Sequence, residues 1–217
     1  MSSQIEKHEG KNRVIKNIVF DMGGVLFNDN AMEFAARYVA DQADRDLLNR
    51  ELFQSSEWKN GWDGGDMTNR EVAESVCKRL PQRLHEPVRR IMDNWNMDPR
   101  AIPGMESLIR GLKKSGWGIY LLSNTALQYY EYRHKLPAID CFDGQFISAD
   151  YHLLKPRREI FEKFTQVFGL VAQECYFIDD RAENADGAVK AGWGGSFVFS
   201  GDAAVLEEAL KGLRANR

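Results

Sequence analysis

Short apolar runs alternate with longer amphipathic stretches along most of this chain. Val14 to Asp21 (VIKNIVFD) is β-branched and aromatic and stops where Met22-Gly23-Gly24 begins, so it reads as a buried strand. Met105 to Ser115 has helical spacing closed by Gly116, and Trp117 to Leu122 then forms a strand leading into Ser123-Asn124-Thr125. Phe146-Ile147-Ser148 is a third short strand. Pro156 takes the first helical position ahead of a helix that ends at Phe168-Gly169. Cys175 to Ile178 is a strand running into Asp179-Asp180, Ser196 to Phe199 is a last strand, and Asp202 to Leu213 is a final amphipathic helix.

From Asn30 to about Pro99 the pattern changes. Met32, Phe34, Ala35, Tyr38 and Val39, then Leu47, Leu48, Leu52 and Phe53, recur at helical spacing. Thr68-x-x-Glu71 ahead of Val72, Val76 and Leu80 has the form of a capping box. No strand pattern competes in this stretch. The organisation predicted is a polar tail over 1–13, an α/β core built from 14–29 and 100–217, and a small all-helical cap over 30–99. Strands alternating with helices imply parallel pairing through right-handed crossovers, which is a Rossmann-like parallel sheet flanked by helices.

Composition narrows the partners. With 29 basic and 32 acidic residues in mixed order and a net charge of −3, nothing favours a polyanion, so nucleic acid is not an expected partner. The polar N-terminus lacks the apolar run of a signal peptide, and no stretch is long enough to cross a bilayer, so no membrane partner is expected. Cys77, Cys141 and Cys175 are odd in number and far apart, as suits reduced thiols in the cytoplasm. A monomer or weak dimer is expected.

In parallel α/β sheets the site lies beyond the carboxyl ends of the strands. Those ends deliver Asp21, Ser123-Asn124 and Asp179-Asp180, with Lys155 in the loop after the third strand. Singly, each has an ordinary reading as a turn carboxylate, a helix cap or a surface lysine. Together they place three carboxylates, a hydroxyl with an amide and one ammonium on a single rim. Clustered carboxylates call for a divalent cation, and oxygen-only ligands favour Mg2+ over zinc. Phosphoryl transfer needs an in-line nucleophile, which Asp21 supplies, and fixed positive charge, which Lys155 supplies.

The runs FDMGGVLF, LLSNT, LLKPRREIF and FIDDRAENADGA, in this order, resemble the four motifs of the haloacid dehalogenase (HAD) superfamily of aspartate-nucleophile hydrolases, from about Ile15 to Phe199. The resemblance is nearest to small sugar-phosphate phosphatases of the glucose-1-phosphate type. It implies that Asp21 forms an aspartyl-phosphate and that Ser123 and Lys155 bind phosphate. It also implies that Asp21, the carbonyl of Gly23 and Asp180 hold magnesium, supported by Asp179, while Asn184 orients the ligands. The substrate would be a small phosphorylated metabolite, with Asn124 beside Ser123 in the binding loop.

One departure stands out. Most phosphatases of this superfamily carry a second Asp two residues after the nucleophile as general acid and base, where this chain has Gly23. An acidic leaving group, a proton donor from the cap, or a slow protein whose main role is binding would each accommodate the loss. Trp58 and Trp62 in the glycine-rich segment Ser55 to Asp66 either form a sugar-stacking wall or, as the preferred reading, bury a cap helix. A metal-free 2-haloacid dehalogenase and a non-catalytic phospho-ligand binding protein are the competing functions.

Overall fold

A computed structural model describes residues 14–214 of the 217; the polar tail predicted over 1–13 lies outside them. Five parallel strands make the sheet: β1 (Asn17–Phe20), β4 (Gly118–Ser123), β5 (Gly144–Ile147), β6 (Cys175–Asp179) and β7 (Gly195–Val198), in the order β5-β4-β1-β6-β7. A second, antiparallel ribbon joins β2 (Phe27–Asn28) to β3 (Arg100–Ala101). Each of its strands has only two residues, too few for any pattern to announce, yet they tie together the two ends of the helical insertion.

Alternation within each strand shows why the sheet is covered on both sides. Ile18 and Phe20 of β1 face a core shared with Ile119 and Leu121 of β4 and Ile178 of β6. That face is closed by α5 (Met105–Lys114) and α10 (Ala203–Arg214), through Leu108, Ile109, Leu112, Leu206 and Leu210. Val19, Leu122 and Phe177 point the other way, onto α8 (Arg158–Phe168) and α9 (Ala182–Lys190), where they meet Ile160, Phe161, Phe164 and Ala188. Strands buried on both faces read as continuous apolar runs, as these do.

The insertion carries α1 (Ala31–Ala35), α2 (Gln42–Leu48), α3 (Asn69–Cys77) and α4 (His85–Asn94), with wider π-helical turns at Asn49–Phe53 and Glu57–Trp62. It has its own core, centred on Leu48, Leu52, Val72, Val76, Val88 and Ile91. The capping box at the start of α3 is formed: Glu71 N–H donates to Thr68 Oγ1, and Thr68 N–H donates to Glu71 Oε2 at 2.8 Å. Two short helices, α6 (Tyr129–Tyr132) and α7 (Ser148–Tyr151), follow β4 and β5.

Two local expectations change. Pro156 is not a first helical residue: it follows a cis peptide bond after Lys155, and α8 starts at Arg158. Ser148, expected to end the third strand, instead opens α7.

Candidate active site

Register brings the rim together. Phe20 stands opposite both Leu121 and Ile178, so the next residue along, Asp21, falls level with Asp179 on the neighbouring strand and with Leu122, one residue before Ser123. The Asp21 N–H continues the ladder by donating to the Ile178 carbonyl at 2.8 Å. One carboxylate oxygen from each of Asp21, Asp179 and Asp180 lies within 4.8 Å of the other two.

Lys155 enters this group from the loop ahead of α8, and its side chain is 1% exposed. Its ammonium donates to Asp179 Oδ2 at 2.7 Å, to the Leu122 carbonyl at 3.1 Å, and pairs with Asp21 Oδ1 at 2.8 Å. Asp179 is saturated: Oδ1 also accepts from Arg181 N–H at 2.9 Å, and Asn184 Nδ2 donates to both oxygens at 3.0 and 3.2 Å. With four hydrogen bonds on its two oxygens Asp179 holds Lys155 in place, whereas Asp21 takes two donors. Asn184 is buried and aimed at Asp179.

Asn124, expected beside the substrate, lines the cavity and also fixes the lysine loop. Its Nδ2 donates to the Lys155 carbonyl at 3.1 Å, and the Lys155 N–H donates to its Oδ1 at 2.9 Å. Both ends of the amide therefore clamp the backbone that carries the lysine. Ser123 ends β4, is buried, and lines the same cavity as Asp21 and Lys155.

That cavity, of about 420 Å³, opens between the sheet edge and the helical insertion. Trp58 and Trp95 line it, together with Phe53, Gln54, Asn60 and Asn96. Trp62 does not. It packs on Trp58 with ring centroids 4.5 Å apart and donates from Nε1 to Asn69 Oδ1 at 2.7 Å, so it belongs to the interior of the insertion.

Two further carboxylates reach the cavity, Asp29 and Asp63, and neither was singled out from the sequence. Asp29 sits in the polar turn Asn28-Asp29-Asn30, and Asp63 in the glycine-rich WDGGD loop, where acidic residues are ordinary turn formers. The available signal was Gly23, whose missing side chain leaves room on this side of the nucleophile.

The charges are unbalanced. Burial pushes the Asp21 carboxyl well above its usual range despite Lys155, and Asp179 adds to the rise. Burial also raises Asp63, with Asp21 and Asp29 pushing the same way, and raises Asp180, helped by Asp179. Asp29 is pushed up to about 6 by enclosure of its carboxyl and by Asp180. Solvent reaches Asp29 from the cavity and screens part of that effect, but the nearby negative charge gives it the same direction. Burial alone would lower Lys155, yet Asp179 and Asp21 outweigh it and keep the ammonium charged. Burial would raise Asp179, and Lys155 with the Arg181 and Asn184 donors holds it down instead. An oxygen-only pocket with surplus negative charge and carboxyls pushed toward protonation fits a hard divalent cation.

A doubly covered parallel sheet with an aspartate, a buried lysine and an acidic pair at its carboxyl edge defines an α/β hydrolytic enzyme of Rossmann-like architecture. The chain belongs to the haloacid dehalogenase-like hydrolases, whose family model matches residues 15–192. It is 28% identical over 196 residues to the sesquiterpene phosphatase astK of Aspergillus oryzae, covering 88% of this chain and 94% of that one. Its fold resembles a HAD family enzyme of Bacteroides thetaiotaomicron solved with magnesium and inorganic phosphate, with a TM-score of 0.63 at 20% identity over 88% of this chain and 98% of that one. It also resembles the L-2-haloacid dehalogenase of Xanthobacter autotrophicus, with a TM-score of 0.61 at 17% identity over 82% and 75% of the two chains. Among the described residues no helix is long and apolar enough to cross a membrane.

Proposed function

We propose that the chain is a magnesium-dependent phosphatase of small phosphate monoesters that works through an aspartyl-phosphate on Asp21. The observation that carries this reading is the cluster itself: one carboxylate oxygen from each of Asp21, Asp179 and Asp180 within 4.8 Å of the other two, against one buried lysine. Asp21, Asp180 and the Gly23 carbonyl would hold the ion. Bound magnesium would offset the charge of these carboxylates and of the phosphoryl oxygens.

The residues of the chain divide the remaining work. Asp21 attacks phosphorus with one oxygen, and its Oδ1 is steadied by the Met22 N–H at 2.7 Å. Lys155, positioned by Asp179 and by the Asn124 clamp, neutralises charge on the transferring group. Ser123 lies along the same rim to receive a phosphoryl oxygen. The helical insertion closes over the leaving group as a cap and excludes water.

A sugar phosphate suits the cavity: Gln54, Asn60 and Asn96 offer amides to hydroxyls, and Trp58 and Trp95 offer ring faces to the apolar side of a pyranose. A terpenoid phosphate is the second reading. It is favoured by the aromatic group of Phe53, Trp58 and Trp95, whose centroids lie 4.9 to 5.4 Å apart, and by the likeness to a sesquiterpene phosphatase. Dehalogenation is disfavoured, because attack on carbon has no use for a carboxylate trio that repels in the absence of a cation.

Phosphate release should be measured across sugar and isoprenyl phosphates, with and without chelator, for wild type and Asp21→Asn. Turnover that depends on magnesium and vanishes in Asp21→Asn is expected. Undiminished turnover in Asp21→Asn, or full activity under chelation, would refute the reading.

A further inference from the structure

Cleaving a phosphate ester leaves an oxygen that needs a proton, and hydrolysing the aspartyl-phosphate needs a base for water. The residues assigned so far supply neither. Lys155 is tied to two carboxylates and a carbonyl, Asp179 is saturated with donors, and Asp21 is the nucleophile. Gly23, two residues along the nucleophile loop, has no side chain.

Yet the space beside Gly23 is not empty. A Cβ built on Gly23 would lie 2.2 Å from Asp29 Oδ2 and 2.8 Å from Asp29 Cγ, a distance that real atoms do not tolerate. The carboxyl of Asp29 therefore fills the volume in which a side chain at position 23 would begin. The backbone leading to it is pinned by three contacts: Gly24 N–H donates to the Phe27 carbonyl at 2.9 Å, Ile102 N–H donates to the Leu26 carbonyl at 3.0 Å, and Asn28 pairs with Arg100. Asp29 lines the cavity together with Asp21, Ser123 and Lys155. Unlike Asp21 and Asp179, it has no lysine or arginine paired with it among the described residues.

We propose that Asp29 is the acid–base residue of this site, its carboxyl standing where the side chain of residue 23 would otherwise stand. The assignment rests on the phosphatase reading. In the first half-reaction an Asp21 oxygen bonds to phosphorus, the bond from phosphorus to the ester oxygen breaks, and that oxygen leaves with the proton of the Asp29 carboxyl. In the second, the Asp29 carboxylate takes a proton from water as the water oxygen bonds to phosphorus. The bond from phosphorus to Asp21 then breaks, and phosphate and the Asp21 carboxylate are restored. Asp63, the other carboxyl in the cavity, rides on the helical insertion instead of the nucleophile loop, which makes it the natural comparison.

Two esters with different leaving groups test this with magnesium present: p-nitrophenyl phosphate, whose phenolate departs unaided, and glycerol 3-phosphate, whose alkoxide does not. For Asp29→Asn, kcat/KM on the alkyl ester should fall by ~10²–10⁴, the usual worth of a positioned acid. On the nitrophenyl ester it should fall less than about tenfold, with a burst of one nitrophenol per enzyme as the second half-reaction stalls. The double variant Gly23→Asp, Asp29→Gly returns a carboxyl to the same volume and should recover the alkyl-ester activity to within about tenfold of wild type. Equal losses on both esters, an unimpaired Asp29→Asn, or a leaving-group effect that appears in Asp63→Asn instead would overturn the assignment alone. A wild type that releases phosphate from neither ester would overturn the phosphatase reading and this assignment with it.

Discussion

The ammonium of Lys155 and the carboxylate of Asp179 pair at 2.7 Å with side chains 1% and 0% exposed, the only fully enclosed ion pair among the described residues apart from the lysine's second contact with Asp21. Such a pair is most visible when broken, because its partner is left charged without solvent. Lys155→Met should destabilise the protein by about 3 kcal/mol in urea unfolding near neutral pH. Removing the cation leaves Asp21 and Asp179 to repel, and they relieve the strain by taking up protons, so the loss should be larger at pH 8 than at pH 5. A loss independent of pH would mean that packing, not charge, holds this position.

Surplus carboxylate charge gives metal a measurable effect on stability without any assay of turnover. Magnesium that binds the folded chain alone should raise the thermal midpoint by roughly 5–10 °C at a hundredfold excess over its dissociation constant. Asp180→Asn, which removes the most open member of the cluster, should abolish most of that rise while leaving the metal-free midpoint equal to or above wild type, since partial enclosure of its carboxyl and the Asp179 charge beside it already disfavour ionisation. A magnesium response that survives Asp180→Asn would move the ion elsewhere.

Inside the helical insertion, Glu57 accepts from Arg79 Nη1 at 2.6 Å and from Ser75 Oγ at 2.9 Å, joining the second π-helical turn to α3. The Arg79 hydrogen bond, outweighing partial burial, brings Glu57 from its ordinary 4.5 down to about 2. A depressed carboxyl stabilises above its unfolded value and loses that contribution as pH falls through the folded one. Glu57→Gln should therefore cost about 1 kcal/mol at pH 7, after discounting for the half-open arginine, and nearly nothing at pH 2. Urea unfolding of both proteins at pH 7, 4 and 2 measures the window.

How much of this was legible in advance follows from how local each signal is. Strand ends were readable because apolar runs stop abruptly at Asp21, Ser123 and Asp179, and parallel topology then places them on one edge. The capping box of α3 was readable because Thr68 and Glu71 lie within one turn. Asp29 and Asp63 were not, because each reaches the cavity through tertiary packing of a turn whose composition suits a solvated loop. The second role of Asn124 was hidden for a related reason: its position beside Ser123 suggests a place on the cavity wall, which it has, but not that the Lys155 backbone 31 residues away engages both ends of its amide. Trp58 and Trp62 share one helical spacing, and only the packing of Trp95 and Asn69 decides which of them faces the cavity.

Ser148 supplies the last prediction, because it joins the two halves of the site. Fully buried at the start of α7, its hydroxyl accepts from the Thr125 N–H at 2.8 Å and donates to the Asp63 carbonyl of the insertion. Beside it the backbone comes so close that a Cβ on Gly65 would lie 2.4 Å from the Ala149 carbonyl oxygen, so this seam tolerates no added atom. Ser148→Ala removes no bulk beyond one oxygen but strands a buried N–H and a carbonyl, which should destabilise by about 1–3 kcal/mol. The freed Asp63 loop should exchange its amide hydrogens faster across residues 60–66, and KM should rise several-fold while kcat changes less, because Asp21 and Lys155 are held by the sheet and not by this seam. A fall in kcat with KM unchanged would instead tie the seam to the chemical step and make the insertion part of the reacting geometry.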